Sequence, residues 1–316
     1  MRILFAGTPE IAVRSLHALH ELPGDHSVVG VLTAPARPHG RGRKITPCPV
    51  AAAAEGLGLP VLAFETLKTQ AREAVAALAP DVLVVFAYGK LFGPLFLELF
   101  PCGGINLHPS LLPRHRGPAP VPAAILSGDP VTGLTVQKIA REMDSGDILI
   151  QRQRSLDGSE SAADVYSWAA DEGAKALCAA VQGLADNSLK PCAQNHSEAT
   201  YCSLLHKQDG EIDWRKPAEE IDRLIRAYNP YPGAFSSLSG QKITLWRTSG
   251  VHTLSHAEAP PGTVLAINKT NGILIQTGAN ALGITQLQLA HKKNLDWKSF
   301  CNGYGELSGQ VFGGKE

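Results

Sequence analysis

No apolar stretch of the 316-residue sequence approaches the ~18 residues that a membrane-spanning helix requires, so no membrane partner is expected. The six cysteines (Cys48, Cys102, Cys178, Cys192, Cys202 and Cys301) lie far apart and form no CxxC pair. Neither a zinc site nor a disulfide framework is expected from them, and free thiols in a reducing compartment are. Net charge is also missing, with 29 Lys+Arg against 29 Asp+Glu. That balance argues against a protein that coats nucleic acid or anionic lipid over its whole surface. The phosphate-cradling pattern GxxxxGK[ST] does not occur, and Gly7-Thr8-Pro9 lacks the second and third glycines of a dinucleotide fingerprint. P-loop chemistry and a nicotinamide or flavin cofactor are therefore unsupported. Met1–Gly7 is too short an apolar run for a signal peptide and ends at Thr8-Pro9-Glu10, so a cytoplasmic location is expected. The sequence shows no internal repeat and no low-complexity tract.

What is present suits a sizeable core: hydrophobic residues make up 44% and charged residues 18%. The length suggests two domains. In the first half, short apolar runs alternate with helical signals. Ile3–Ala6, Val28–Thr33, Val61–Phe64 and Asp81–Phe86 read as strands, and Thr8-Pro9 and Thr46-Pro47 read as helix caps. Strands without polar alternation are buried on both faces, which predicts a doubly wound, mainly parallel sheet covered by helices. Ligands of such sheets bind beyond the carboxyl ends of the strands. Residues 190–206 are polar and aperiodic and read as a linker after a domain over 1–189. In 207–316, Ala218–Tyr228 reads as a helix with Ile221, Leu224, Ile225 and Tyr228 on one face. The β runs Gln241–Arg247, Gly262–Ile267, Gly272–Thr277 and Leu282–Ala290 then suggest a small OB-like antiparallel barrel.

The densest chemistry lies in Gly104–Gly117. Asn106 alone is as readily a turn residue as a catalytic one, and His108 could be structural. As residues two apart on a strand they share a side. An amide donor and an imidazole in one cleft could hold an oxyanion and pass a proton, the equipment of acyl transfer. Met143-Asp144-Ser145-Gly146-Asp147 reads first as a polar turn. Its functional reading makes Asp144 the group that orients His108.

Asn106-Leu107-His108-Pro109-Ser110-Leu111-Leu112-Pro113, followed by Asp144-Ser145-Gly146-Asp147, resembles the core signature of the folate-dependent formyltransferases. The resemblance implies a formyltransferase-type Rossmann-like domain and a catalytic trio of Asn106, His108 and Asp144. It implies 10-formyltetrahydrofolate as co-substrate, bound by Ser110, Leu111, Leu112 and Pro113 with Ala87-Tyr88-Gly89 beside the pterin. No metal is implied. Phe5–Glu10, Pro35–Lys44 and Ala227–Phe235 resemble the branch of the family that formylates methionine on initiator tRNA, over essentially the whole chain. In that branch a basic loop enters the acceptor stem, which assigns tRNA binding to Arg37, Arg41, Arg43 and Lys44 and to the carboxyl-terminal barrel. Guanidinium groups on a glycine-containing loop suit phosphate contacts. A monomer is expected. Two features depart from the family's common pattern. Gly117 is followed by Pro118-Ala119-Pro120-Val121-Pro122, and His115 stands where a larger aromatic is frequent; both bear on the acceptor entrance. An amino-sugar nucleotide as acceptor is the competing reading within the family, and a catalytically idle tRNA- or folate-binding protein is the one outside it. The zero net charge conceals segregation. Residues 26–54 hold four Lys/Arg and no acid, and residues 223–316 hold nine Lys/Arg and four acids.

Overall fold

A computed structural model describes residues 1–39, 44–257 and 259–313. The chain divides into two compact units. The first comprises residues 1–120, 131–155 and 166–203, and the second comprises residues 121–130, 156–165 and 204–316.

The first unit is built on a seven-stranded sheet of order β5-β2-β1-β6-β7-β8-β9. Its strands are β1 (Arg2–Gly7), β2 (Ser27–Thr33), β5 (Val61–Ala63), β6 (Val82–Phe86), β7 (Gly104–His108), β8 (Val131–Lys138) and β9 (Ile148–Ser155). β3 (Arg37–His39) and β4 (Lys44–Thr46) form a separate hairpin. The sheet is parallel from β5 through β7, and β8 pairs antiparallel with both β7 and β9. The chain order reverses between β1 and β6, which opens a crevice at the strands' carboxyl edge.

Alternate residues of the central strands β1 and β6 feed two cores. Ile3, Phe5, Val84 and Leu107 pack with Leu16 of α1 (Val13–His20), Val50 of α2 (Pro49–Gly56) and Leu177 of α6 (Ala162–Ala185). Leu4, Leu83 and Val85 pack with Val75 of α3 (Thr69–Ala77) and with Phe96 of α4 (Pro94–Leu97). The doubly wound sheet follows from these apolar runs.

Both threonine caps fail. A 3₁₀ turn, Glu10–Ala12, intervenes after Pro9, α1 starts only at Val13, and Thr8 Oγ1 is buried without a partner among the described residues. Thr46 is held in the hairpin opposite Arg37, so α2 starts later and is capped by Cys48, whose Sγ accepts from Ala51 N at 3.4 Å.

In the second unit, β10 (Ala234–Leu238), β11 (Gln241–His252), β12 (Val264–Asn268), β13 (Gly272–Gln276) and β14 (Ala281–Leu289) form an antiparallel sheet of order β10-β11-β14-β13-β12. β15 (Leu295–Asp296) pairs with β14. Ile221 and Ile225 of α7 (Ala218–Ala227) enter its core with Ile243, Leu245 and Leu287, as their spacing predicts. α8 (Trp297–Tyr304), which periodicity did not signal, is capped by the Asp296 carboxylate, an acceptor for the Lys298 and Ser299 amides.

Candidate active site

Asn106 and His108 lie on β7, where Ile105 and Leu107 alternate with them into the core. Pairing sets Gln137 of β8 opposite Asn106 and Thr135 opposite His108, so all four side chains share one face of the sheet. Asn106 is half-buried, and its side chain makes no hydrogen bond among the described residues.

His108 is 4% exposed. Its Nε2 lies 2.9 Å from the His115 carbonyl oxygen, which can only accept, so Nε2 carries the hydrogen. In the neutral ring the lone pair is then at Nδ1, 3.6 Å from Asp144 Oδ2. Burial lowers the imidazole below the ordinary histidine value of 6.5, outweighing the Asp144 carboxylate and the His115 carbonyl, which both favour the cation.

Asp144 stands on the turn between β8 and β9 with φ +53°, the left-handed region that Asp tolerates through local hydrogen bonds. Its Oδ2 accepts from Gly117 N at 2.9 Å and its Oδ1 from Gln137 Nε2 at 3.0 Å. Gly146 is required two residues on, because a Cβ there would lie 1.8 Å from the Lys138 carbonyl oxygen. The three residues singled out by sequence therefore stand together.

The expected folate segment leaves His108 directly, yet much of it is turned inward. Ser110 is fully buried, donates from Oγ to Arg114 O at 2.7 Å, and accepts from Thr135 Oγ1 at its carbonyl at 2.7 Å. Leu112 is 3% exposed, and its carbonyl accepts from Gln151 Nε2 at 2.9 Å. Leu111 and Pro113 remain half-buried, with Leu111 lying over Gly133. Tyr88 stacks on Phe92 at 5.4 Å. Its buried hydroxyl has no partner among the described residues, and burial pushes it up to about 12.

Of the expected tRNA loop, Arg37 is exposed on β3, 4.0 Å from Glu65, and Lys44 pairs through its backbone with His39. Arg41 and Arg43 lie outside the described residues. Among the described residues no three His, Cys, Asp or Glu are grouped to hold a metal, and no helix is long and apolar enough to cross a membrane.

Several site residues carried no recognised signal in the sequence. Gln194 is buried between Arg116, Gln137 and the Asp144 turn. It comes from the stretch expected as a linker. Instead, residues 190–203 belong to the first unit: Cys192 bridges to Ile148 and Cys202 donates its amide to Arg116 O at 2.8 Å. These buried polar groups need partners, which the stretch supplies without helical or strand periodicity.

Known proteins match this architecture. The family description "Formyl transferase" covers residues 1–181, and "Formyl transferase, C-terminal domain" covers residues 204–305. The chain is 44% identical over 315 residues to a methionyl-tRNA formyltransferase of Treponema denticola, covering 96% of this chain and 97% of the relative. It is 46% identical over 312 residues to that of Treponema pallidum, with 96% of each covered. Among solved structures, WlaRD, a sugar 3N-formyl transferase crystallised with dTDP and 5-N-formyl-THF, superposes with a TM-score of 0.64. That likeness covers 93% of this chain and 99% of that one, and at 17% identity it shows the fold alone.

Proposed function

The chain belongs to the formyl transferase family, and from that premise we infer how its own residues carry out the transfer. The reaction moves the formyl group of 10-formyltetrahydrofolate to the α-amino group of methionine on initiator tRNA. Tetrahydrofolate leaves, and the product is formylmethionyl-tRNA for translation initiation. The observation that carries the site assignment is the pairing of an unengaged Asn106 amide with a buried His108 on one sheet face.

Asn106 donates to the formyl oxygen as it becomes negative, a contact worth about 2.7–4 kcal/mol in comparable sites. His108 takes the proton of the attacking amine at Nδ1, because Nε2 is already a donor to His115. Asp144 then balances the imidazolium across 3.6 Å. His108 returns the proton to N10 of the departing tetrahydrofolate, so the ring is unchanged after turnover. Proton transfer of this kind contributes roughly 10²–10⁴-fold.

Folate contacts from Ser110–Pro113 come from backbone groups and from Leu111 and Pro113, since the Ser110 and Leu112 side chains serve the fold. Ala87-Tyr88-Gly89 flanks the pterin. Arg37, Arg41, Arg43 and Lys44 position the acceptor stem through phosphate contacts. Catalysis belongs to the first unit, residues 190–203 included, the second unit adds further tRNA contacts, and the protein works as a cytoplasmic monomer.

The test is an acceptor comparison. Formylation is measured with 10-formyltetrahydrofolate and either methionyl-tRNA or an amino-sugar nucleotide. Turnover of methionyl-tRNA is expected, and turnover of the sugar nucleotide alone would overturn the reading. Neutralising Arg41 and Arg43 should weaken tRNA use and flatten its salt dependence while folate binding is kept.

A further inference from the structure

Gln194 is 6% exposed and satisfies both ends of its amide. Its Oε1 accepts from Arg116 Nη2 at 2.7 Å and from Arg116 Nε at 3.2 Å. Its Nε2 donates to the carbonyl oxygens of Gly146 at 2.7 Å and Asp144 at 2.9 Å, with Gln137 Oε1 at 3.2 Å. A glutamine amide is normally open to a flip that exchanges its oxygen and nitrogen. Here the flip is forbidden, because a guanidinium can only donate and a backbone carbonyl can only accept. The same logic passes to Gln137. With its Oε1 facing Gln194 Nε2, its own Nε2 must face Asp144, and it donates to Oδ1 at 3.0 Å.

Arg116 sets this polarity. It is 2% exposed and makes no ion pair among the described residues; its remaining donors meet His196 Nδ1 at 3.0 Å and Tyr201 Oη at 3.3 Å. A permanent, buried cation thus begins a hydrogen-bonded chain that ends on the Asp144 carboxylate. Gln194 also grips the backbone of the Asp144–Gly146 turn from behind, which matters because Asp144 is held in the left-handed region.

We propose that Gln194 is a positioning residue for formyl transfer, clamping the Asp144 turn and fixing the Gln137 amide so that the carboxylate faces His108 Nδ1. This rests on the reading in which Asp144 supports His108. The position of one oxygen decides how well the imidazolium is balanced, and a shift of about 1 Å at a supporting group can cost ~10²-fold in rate.

The full chain is assayed for kcat and KM with methionyl-tRNA as Gln194→Met, Asp144→Asn and the double variant. Gln194→Met is expected to lower kcat at least tenfold, with KM for both substrates within twofold. In the Asp144→Asn background it should cost less than twofold, because the group it positions has already lost its charge. An unchanged kcat, an equal rise in KM, or the same loss in both backgrounds would overturn the proposal. If Asp144→Asn itself retains wild-type kcat, the underlying reading fails, and that result is seen without any Gln194 variant. Should Gln194→Met not fold, Gln194→Glu carries the same expectations. It keeps the shape and the Arg116 acceptor but sets an oxygen against the two carbonyls.

Discussion

The unengaged Asn106 amide allows its part in the reaction to be separated from any part in the fold. In Asn106→Ala the backbone pairing of β7 with β6 and β8 is untouched, and no side-chain hydrogen bond is lost among the described residues. The position is half-buried, so no large cavity opens. Stability should therefore change by less than about 1 kcal/mol, as at positions outside a core or polar network. The rate should fall much further. Losing an oxyanion donor costs about 2.7–4 kcal/mol, which at about 1.36 kcal/mol per tenfold is roughly 10²–10³ in the chemical step. Single-turnover formylation of methionyl-tRNA at saturating folate measures that step, and a urea titration measures stability. A variant within fivefold of wild type, or one whose lost rate tracks lost stability, would refute the assignment of Asn106.

Three further outcomes follow from the site. The His108 imidazole, followed by NMR, should titrate below 6.5, and lower still in Asp144→Asn, because the carboxylate favours the cation. The folded state therefore resists a proton that the unfolded chain accepts near 6.5, so this residue erodes stability as pH falls through that value. A midpoint at or above 6.5, or one that rises in Asp144→Asn, would contradict this. Gly146→Ala should cut kcat at least tenfold, because its Cβ would meet the Lys138 carbonyl at 1.8 Å and push the Asp144 turn aside. Tyr88→Phe removes a buried hydroxyl that has no partner among the described residues, so its urea midpoint should not fall, since an unsatisfied buried group costs about 1–3 kcal/mol.

The parallel sheet was legible because β1 and β6 are unbroken apolar runs, and a strand buried on both faces has no other composition. Asn106 and His108 were legible through the two-residue period of a strand, and Asp144 only through the family signature. The rest escaped for physical reasons. Cys48 took over a cap expected at Thr46, because Thr46 is drawn into hairpin pairing with Arg37. Gln137 and Gln194 act through amide partners supplied by tertiary contact, and neither periodicity nor spacing records which residue a buried glutamine will meet. The polarity of residues 190–206 suggested exposure, whereas Gln194 is polar because it serves buried acceptors.

The attachment of residues 190–203 to the first unit also bears on biosynthesis. A chain that has emerged only as far as residue 189 carries β1 through β9, α6 and all of Asn106, His108 and Asp144. It lacks the amide that meets Arg116 and the Asp144 turn, and the Thr200 carbonyl and Cys202 amide that pair with Arg116. The partners of Arg116 and of the Asp144 turn therefore arrive one short segment later than the strands of the sheet do.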